Sequence, residues 1–402
     1  MKILHVIPTV DLKRGGPSVA VRQMTEGLAA EGFDVTLATT TTGLTNAYDL
    51  GSRDVVVENG VRTKYFPAQI SRGWMFSWRM TQWLFGHVGA FDLVHIHAVF
   101  PYPVWPACRA SFRAGVPYVV RPAGTLDRYG MGLKSWKKIP YYQLMIKKNL
   151  RLAGAIQATS SHESDDLAAL GFKKLITIPH GIQTQPIQAR RRNLDGRPLQ
   201  LLFLGRLDPI KGIPILLKAV AVIKRAGEAV SLDVAGAGSD DYTAFLRKEV
   251  DRLGLRDIVS FFGDVRNAEK RRLFQNADAF VLPSHHENFG IAVAEAMSYG
   301  LPVVISDQVA LSKDVLRATA GFVVPTEDSE TLAKMIRALF DNETRLELGR
   351  NARLLMAKEF NPNRQIQELV QLYGRLMSAS LNKNGDNCAK RQNRTKFGEI
   401  TK

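Results

Sequence analysis

Short β-branched or leucine-rich runs alternate with amphipathic helices in two successive halves of a 402-residue chain, and this grammar predicts an α/β protein built on two doubly wound parallel sheets. Two further observations agree. The length exceeds what one ordinary core fills, so two domains of roughly 150 to 200 residues are expected. Residues 183–198 are rich in Gln, Arg and Pro and poor in apolar side chains, as a linker between the halves would be.

In the first half the clearest strands are 2–7, 34–39, 93–97 and 118–121, and a helix over 18–30 joins the first pair. The second half reads as strands at 200–204, 231–235, 259–262, 279–282, 303–305 and 322–324, with helices between nearly all of them. Residues 330–359 have the composition of two helices. Asn361-Pro362 then breaks the pattern, and a last helix is expected to about Met377. The expected division is a first domain over 1–185, a linker over 186–198 that carries the hinge, and a second domain over 199–360. A helix over 361–378 crosses back to the first domain, and the polar, basic, aperiodic tail 379–402 is expected to be disordered.

Composition narrows the partners. The formal charge is +16 and the pI near 9.8, which favours an anionic partner. Between Arg128 and Arg151 the basic residues Lys134, Lys137, Lys138, Lys147 and Lys148 have no acidic neighbours and interleave with Trp136, Tyr141, Tyr142, Leu144 and Ile146. WMFSWRMTQWLF, over 74–85, is a second amphipathic, aromatic segment. Two readings of both segments stand: an acidic membrane face binds them, or they are solvated helix faces over a buried apolar stripe. No nucleic-acid recognition motif is present, and no nucleic-acid partner is expected. Cys108 and Cys388 offer neither a disulfide framework nor a metal cluster. Met1 and Lys2 run directly into a strand-like segment, and no stretch is long and apolar enough to span a bilayer, so a cytoplasmic protein, peripheral at the membrane's inner face, is expected.

The most informative stretch is SHHENFGIAVAEAMSYGLPVV, which reads as strand end, loop, helix and next strand. Glu287 falls in the loop and Glu295 just past the first helical turn. Free amides at a helix start attract anions, and carboxylates accept hydrogen bonds from hydroxyls, so the set suits a ligand carrying both phosphate and sugar. The competing reading makes the acids complements to the helix dipole, with Asn288 or Ser284 as caps. After the first strand, Gly15-Gly16-Pro17-Ser18 leads into a helix and is either a phosphate approach or simply a turn. Arg206 and Lys211 share the short loop GRLDPIKG before another helix, where two cations suit a diphosphate. His95 and His97 flank Ile96, and their side chains are expected on opposite faces, one in the core and one toward the crevice. With no Asp-x-Asp and no Cys or His cluster at ligand spacing, neither a bound metal nor a cofactor is expected.

Together these motifs resemble the retaining glycosyltransferases of the GT-B fold, family 4, over essentially the whole chain. The carriers are GGPS, VHIH, GRLDPIKG and ENFGIAVAE, with ATSSHE, IPHGI and FFGDV less specific. The resemblance implies two Rossmann-like domains facing across a cleft, the first binding acceptor and the second nucleotide sugar. It implies that Glu287 and the amides around Phe289, Gly290 and Ile291 hold the sugar hydroxyls, and that Glu295 takes the ribose. Arg206 and Lys211 grip the diphosphate in that family pattern, Gly16 approaches it, and His97 contacts the transferred sugar. No protein nucleophile is required. The departing phosphate oxygen takes the acceptor's proton on the face it leaves, so configuration is retained.

The chain departs from the pattern in three places. DQVALSKDV, over 307–315, replaces a glycine pair with Glu; His180 stands where Asn is common; and Arg121-Pro122-Ala123-Gly124 replaces His-Gly. Arg121 then either holds an anionic part of the acceptor or pairs with a local acid. The expected activity is transfer of a hexose from a UDP- or GDP-linked donor to a lipid-linked glycan or surface polysaccharide. A nucleotide-sugar 2-epimerase of the same architecture and a non-catalytic nucleotide-sugar-binding protein are the alternatives.

Overall fold

The computed structural model describes residues 1–11, 16–43, 54–70, 73–127, 131, 135–185, 194 and 196–398. Gly15, Arg128, Lys134 and most of the expected linker, 186–193 and 195, lie outside the described residues. The chain forms two units, Met1–Pro179 with Pro362–Lys402, and His180–Asn361. The first therefore ends six residues ahead of the expected boundary at 185, and the expected linker falls within the second unit's span. Ile182 already donates its amide to the carbonyl of Phe360 at 2.7 Å, which explains why 180–185 belong with the second unit.

Among the described residues the first unit holds eight strands: β1 (Lys2–Val6), β2 (Asp34–Thr40), β3 (Val55–Glu58), β4 (Val61–Phe66), β5 (Leu93–His97), β6 (Tyr118–Arg121), β7 (Ala155–Ala158) and β8 (Leu175–Thr177). Their order is β3-β4-β2-β1-β5-β6-β7-β8, and every pairing is parallel except β3 with β4. That hairpin turns on Asn59-Gly60, both with positive φ, as a tight two-residue turn between twisted strands demands. Side chains alternate between two cores. Leu4, Val6, Val94 and Ile96 pack toward α2 (Trp78–His87), α3 (Val104–Ala114) and the segment 135–152. Ile3, Leu37, Leu93 and Val119 pack toward α1 (Gly16–Ala30) and the final helix.

Segment 135–152 is one helix in three pieces, α4 (Ser135–Tyr141), a π turn (Tyr142–Ile146) and α5 (Lys147–Leu152). Helix α6 (Ser161–Ala169) completes the unit's second face. In the second unit β9 (Leu199–Leu204), β10 (Val230–Ala235), β11 (Val259–Gly263), β12 (Ala279–Leu282), β13 (Val303–Ser306) and β14 (Gly321–Val324) form an all-parallel sheet in the order β11-β10-β9-β12-β13-β14. The helices are α7 (Ile213–Arg225), α8 (Asp240–Arg252), α9 (Asn267–Asn276), α10 (Ile291–Ser298), α11 (Ser312–Arg317), α12 (Ser329–Ala338) and α13 (Asn342–Glu359). Near-continuous burial along β12 and β13 is what a sheet covered on both faces requires.

Helix α14 (Pro362–Gly398) starts at the expected proline and buries Ile366, Leu369, Leu372 and Tyr373 in the first unit's core. It continues to Gly398, past the expected end near Met377 and into the tail expected to be disordered. No proline interrupts it there. Among the described residues no helix is long and apolar enough to cross a membrane.

Candidate active site

In an open parallel sheet, ligands bind beyond the carboxyl ends of the strands where the strand order reverses. In the second unit that point lies between β9 and β12. GRLDPIKG leaves β9 and SHHENFG leaves β12, so the topology itself brings the two loops together.

Their contact is built in steps. Asp208 caps a short 3₁₀ turn, Pro209–Lys211, by accepting from the Ile210 amide at 3.1 Å. Gly212 follows at φ 65°, and a Cβ there would stand 2.0 Å from the carbonyl oxygen of Pro283. Only glycine allows the β9 loop to lie this close to the β12 loop. The His285 amide donates to the Ile210 carbonyl at 2.7 Å and fixes the approach. As a result Lys211 Nζ donates to Glu287 Oε2, with the two side chains 15% and 21% exposed. Arg206 from the same loop pairs with Asp208 at 3.3 Å and is largely exposed.

The departing loop after β13 has a function in this arrangement. Glu287 donates its amide to the Gln308 carbonyl at 3.1 Å, and Ala310 donates to the Glu287 carbonyl at 3.0 Å. DQVALSKDV therefore pins the glutamate's backbone as an added parallel bridge between Glu287 and Val309. Phe289 is buried against His180, with rings 4.7 Å apart, and against Phe360 at 5.9 Å. Its side chain anchors the loop while Gly290 and Ile291 start α10. Gly290 gives that helix no side-chain cap and its first turn carries no acid, a helix start whose dipole suits an anion. Glu295 accepts from Lys270 Nζ at 2.6 Å. Lys270, on α9, lies 25 residues from Glu295 in sequence and had no spacing signal to single it out.

The remaining predicted residues belong to the first unit. Gly16 begins α1, after the loop that leaves β1 at that sheet's own switch point between β1 and β5. His97 differs from its expectation. Residues two apart on a strand share a face, so His95 and His97 point the same way, and the expected opposite orientation is corrected. Their rings stack at 4.4 Å. Parallel pairing sets His5 beside His95, and His5 Nδ1 lies 3.0 Å from His97 Nε2. A cluster of three buried histidines thus exists where no histidine cluster was expected, with ligand atoms within 4.8 Å of one another. The planes of His95 and His97 and of His5 and His97 are stacked, at 24° and 15°, while His5 and His95 are tilted by 37°.

The surroundings also oppose positive charge. Burial, then the Arg121 guanidinium, holds the His5 imidazole down to about 3. His95 and His97 are likewise held well below the usual range, first by burial and then by neighbouring groups including Arg121. Arg121 is 1% exposed, and burial brings even its guanidinium down to about 10 against the opposing pull of Glu163 and Tyr373. Glu163 is thus a local acid whose charge acts on Arg121. Glu163 itself accepts from the amides of Gly124 and Thr159 at 2.6 and 2.7 Å. His97 is 3% exposed, so contact with a sugar would require the ring to be uncovered.

Comparison with known proteins agrees with the loop geometry. The family model for glycosyl transferases group 1 matches residues 184–355, and that for the glycosyl transferase 4-like domain matches 15–181. The chain is 29% identical over 273 residues to phosphatidyl-myo-inositol mannosyltransferase of Mycobacterium leprae, covering 66% of this chain and 68% of that one. It is 29% identical over 245 residues to GDP-mannose:cellobiosyl-diphosphopolyprenol alpha-mannosyltransferase of Komagataeibacter xylinus, 59% of each. Among solved structures, Anabaena HepE in complex with UDP superposes with a TM-score of 0.75 at 19% identity, over 92% of this chain and 99% of that one. Two family models in tandem, a switch-point site of cation and carboxylate, and a matching fold have one reading: the chain belongs to the group 1, family 4 glycosyltransferases of the GT-B fold.

Proposed function

We propose that the chain transfers a hexose, with retention of configuration and without a metal, from a UDP- or GDP-linked donor to a lipid-linked glycan or surface polysaccharide at the inner face of the cytoplasmic membrane. The observation that carries the reading is the Lys211–Glu287 pair beside the uncapped start of α10. One loop cluster supplies a cation for the diphosphate, an acceptor for sugar hydroxyls and a helix start whose dipole suits an anion. As the sugar–phosphate bond breaks, charge grows on the leaving diphosphate, and Lys211 and Arg206 stabilise that charge more than they stabilise the intact donor. Glu287 orients the hexose through its hydroxyls, and Glu295, steadied by Lys270, takes the ribose. The leaving oxygen accepts the acceptor's proton, so no protein nucleophile is needed. The Mycobacterium and Komagataeibacter relatives, one named for phosphatidyl-myo-inositol and the other for a diphosphopolyprenol, support the lipid class of the acceptor.

The test is incubation with each UDP- and GDP-hexose and an acceptor-bearing lipid extract, followed by NMR assignment of the new anomeric centre. Sugar appearing in the lipid fraction with the donor's configuration is expected. Inverted product, or isomerised donor without any acceptor, would overturn the reading.

A further inference from the structure

Segment 135–152 presents a surface that catalysis does not use. Trp136 and Leu144 are 73% and 79% exposed, and Ile139 is also exposed. Pro140 cannot donate the hydrogen bond that α4 requires, and the chain answers with the π turn over Tyr142–Ile146. The wider i→i+5 turn advances fewer than the usual ~100° per residue, which keeps the helix in phase with its core. Tyr142, Ile146 and Leu150 all point inward, and Trp136, Ile139, Leu144, Lys148 and Arg151 all remain outward. Trp74 extends the apolar stripe, its ring 5.2 Å from that of Tyr141.

Charge identifies the occupant. From Trp74 to Leu152 the sequence carries eleven Lys and Arg against two Asp, and with the buried Arg121 and Asp127 set aside the balance is ten to one. A symmetric pairing of two copies would press this cationic face against itself. An anionic bilayer satisfies both halves of the stripe, with indole, proline and leucine entering the interface and Lys147, Lys148 and Arg151 meeting head groups.

We infer that the outward stripe of the 135–152 helix, from Trp136 through Leu144 to Arg151, docks the first unit on an anionic lipid bilayer. This deepens the reading of a membrane-borne acceptor and rests on it for the class of partner. Its test uses neither donor nor acceptor, so the two stand or fall separately.

The experiment is co-sedimentation of the full chain with vesicles of phosphatidylglycerol and phosphatidylcholine, and with phosphatidylcholine alone. Binding to the first and not the second is expected, with release at about 1 M salt, where the screening length is about 3 Å. K147A/K148A is expected to weaken partition roughly 30-fold, from about 1 kcal/mol per cation near the surface. Leu144→Ser is expected to weaken it about tenfold. Both substitutions are at the surface, and unchanged melting temperatures verify folding. Equal binding to both vesicle types, full binding by the variants, or a dimer that Leu144→Ser dissociates while vesicles are ignored would overturn the inference.

Discussion

Lys211 and Glu287 meet because residue 212 has no side chain. In Gly212→Ala a Cβ would enter the space of the Pro283 carbonyl at a φ that side chains resist, so a loss of roughly 2–4 kcal/mol is expected in denaturant unfolding. Transfer falls with it, because the β9 loop retreats from Glu287. Wild-type stability in that variant would mean that the loops do not approach as described. Lys211→Ala separates chemistry from folding. The side chain is partly exposed and its removal leaves the backbone contacts intact, so kcat is expected to fall at least about 100-fold with the melting temperature nearly unchanged. A kcat within a few-fold of wild type would remove Lys211 from the diphosphate.

At the scale of elements, the central strands were legible because burial on both faces leaves unmistakable apolar runs. The β3–β4 hairpin was missed although Asn59-Gly60 announces it, and β7 and β8 are too short, at AIQA and LIT, to stand out. The glutamate loop and GRLDPIKG could be placed at strand ends from sequence, since each follows a strand and precedes a helix, and the fold brings the two together. Lys270 was not, because its partner is set by the packing of α9 against α10's end of the sheet. The histidine cluster was hidden by an error of periodicity on β5 and by inter-strand register, which puts His5 beside His95 and which no spacing records. Its other neighbour, Tyr373 on α14, bonds His95 Nδ1 at 2.6 Å from 278 residues away.

That cluster makes stability depend on pH. The folded histidines stay neutral, with values below the usual 6.5, whereas the unfolded chain takes up protons below about 6.5. Their contribution is therefore present at neutral pH and is lost progressively as pH falls below about 6.5. Each histidine adds up to about 1.4 kcal/mol per pH unit to the slope. Urea unfolding between pH 7 and 5 is expected to show this loss, and His95→Gln to flatten it. An unchanged slope in the variant would place the titration elsewhere.

For the whole molecule, the chain enters the second unit at His180 and returns to the first at Pro362, so α14 completes a core that begins with β1. Stability of the first unit thus depends on a segment separated from the rest of it by the whole second unit. The second unit contains both loops of the proposed donor site within its own sheet, and a ligand bound there stabilises the fold by an amount that rises with the logarithm of its concentration above Kd. This site is proposed to hold a nucleotide sugar through Lys211 and Glu287, and thermal unfolding of the full chain with a panel of UDP- and GDP-hexoses is the test. At saturation, near 100 times Kd, one donor class is expected to add about 2.7 kcal/mol of stability, and Glu287→Ala and Lys211→Ala to abolish the rise. No shift with any nucleotide sugar, or an undiminished shift in both variants, would contradict it.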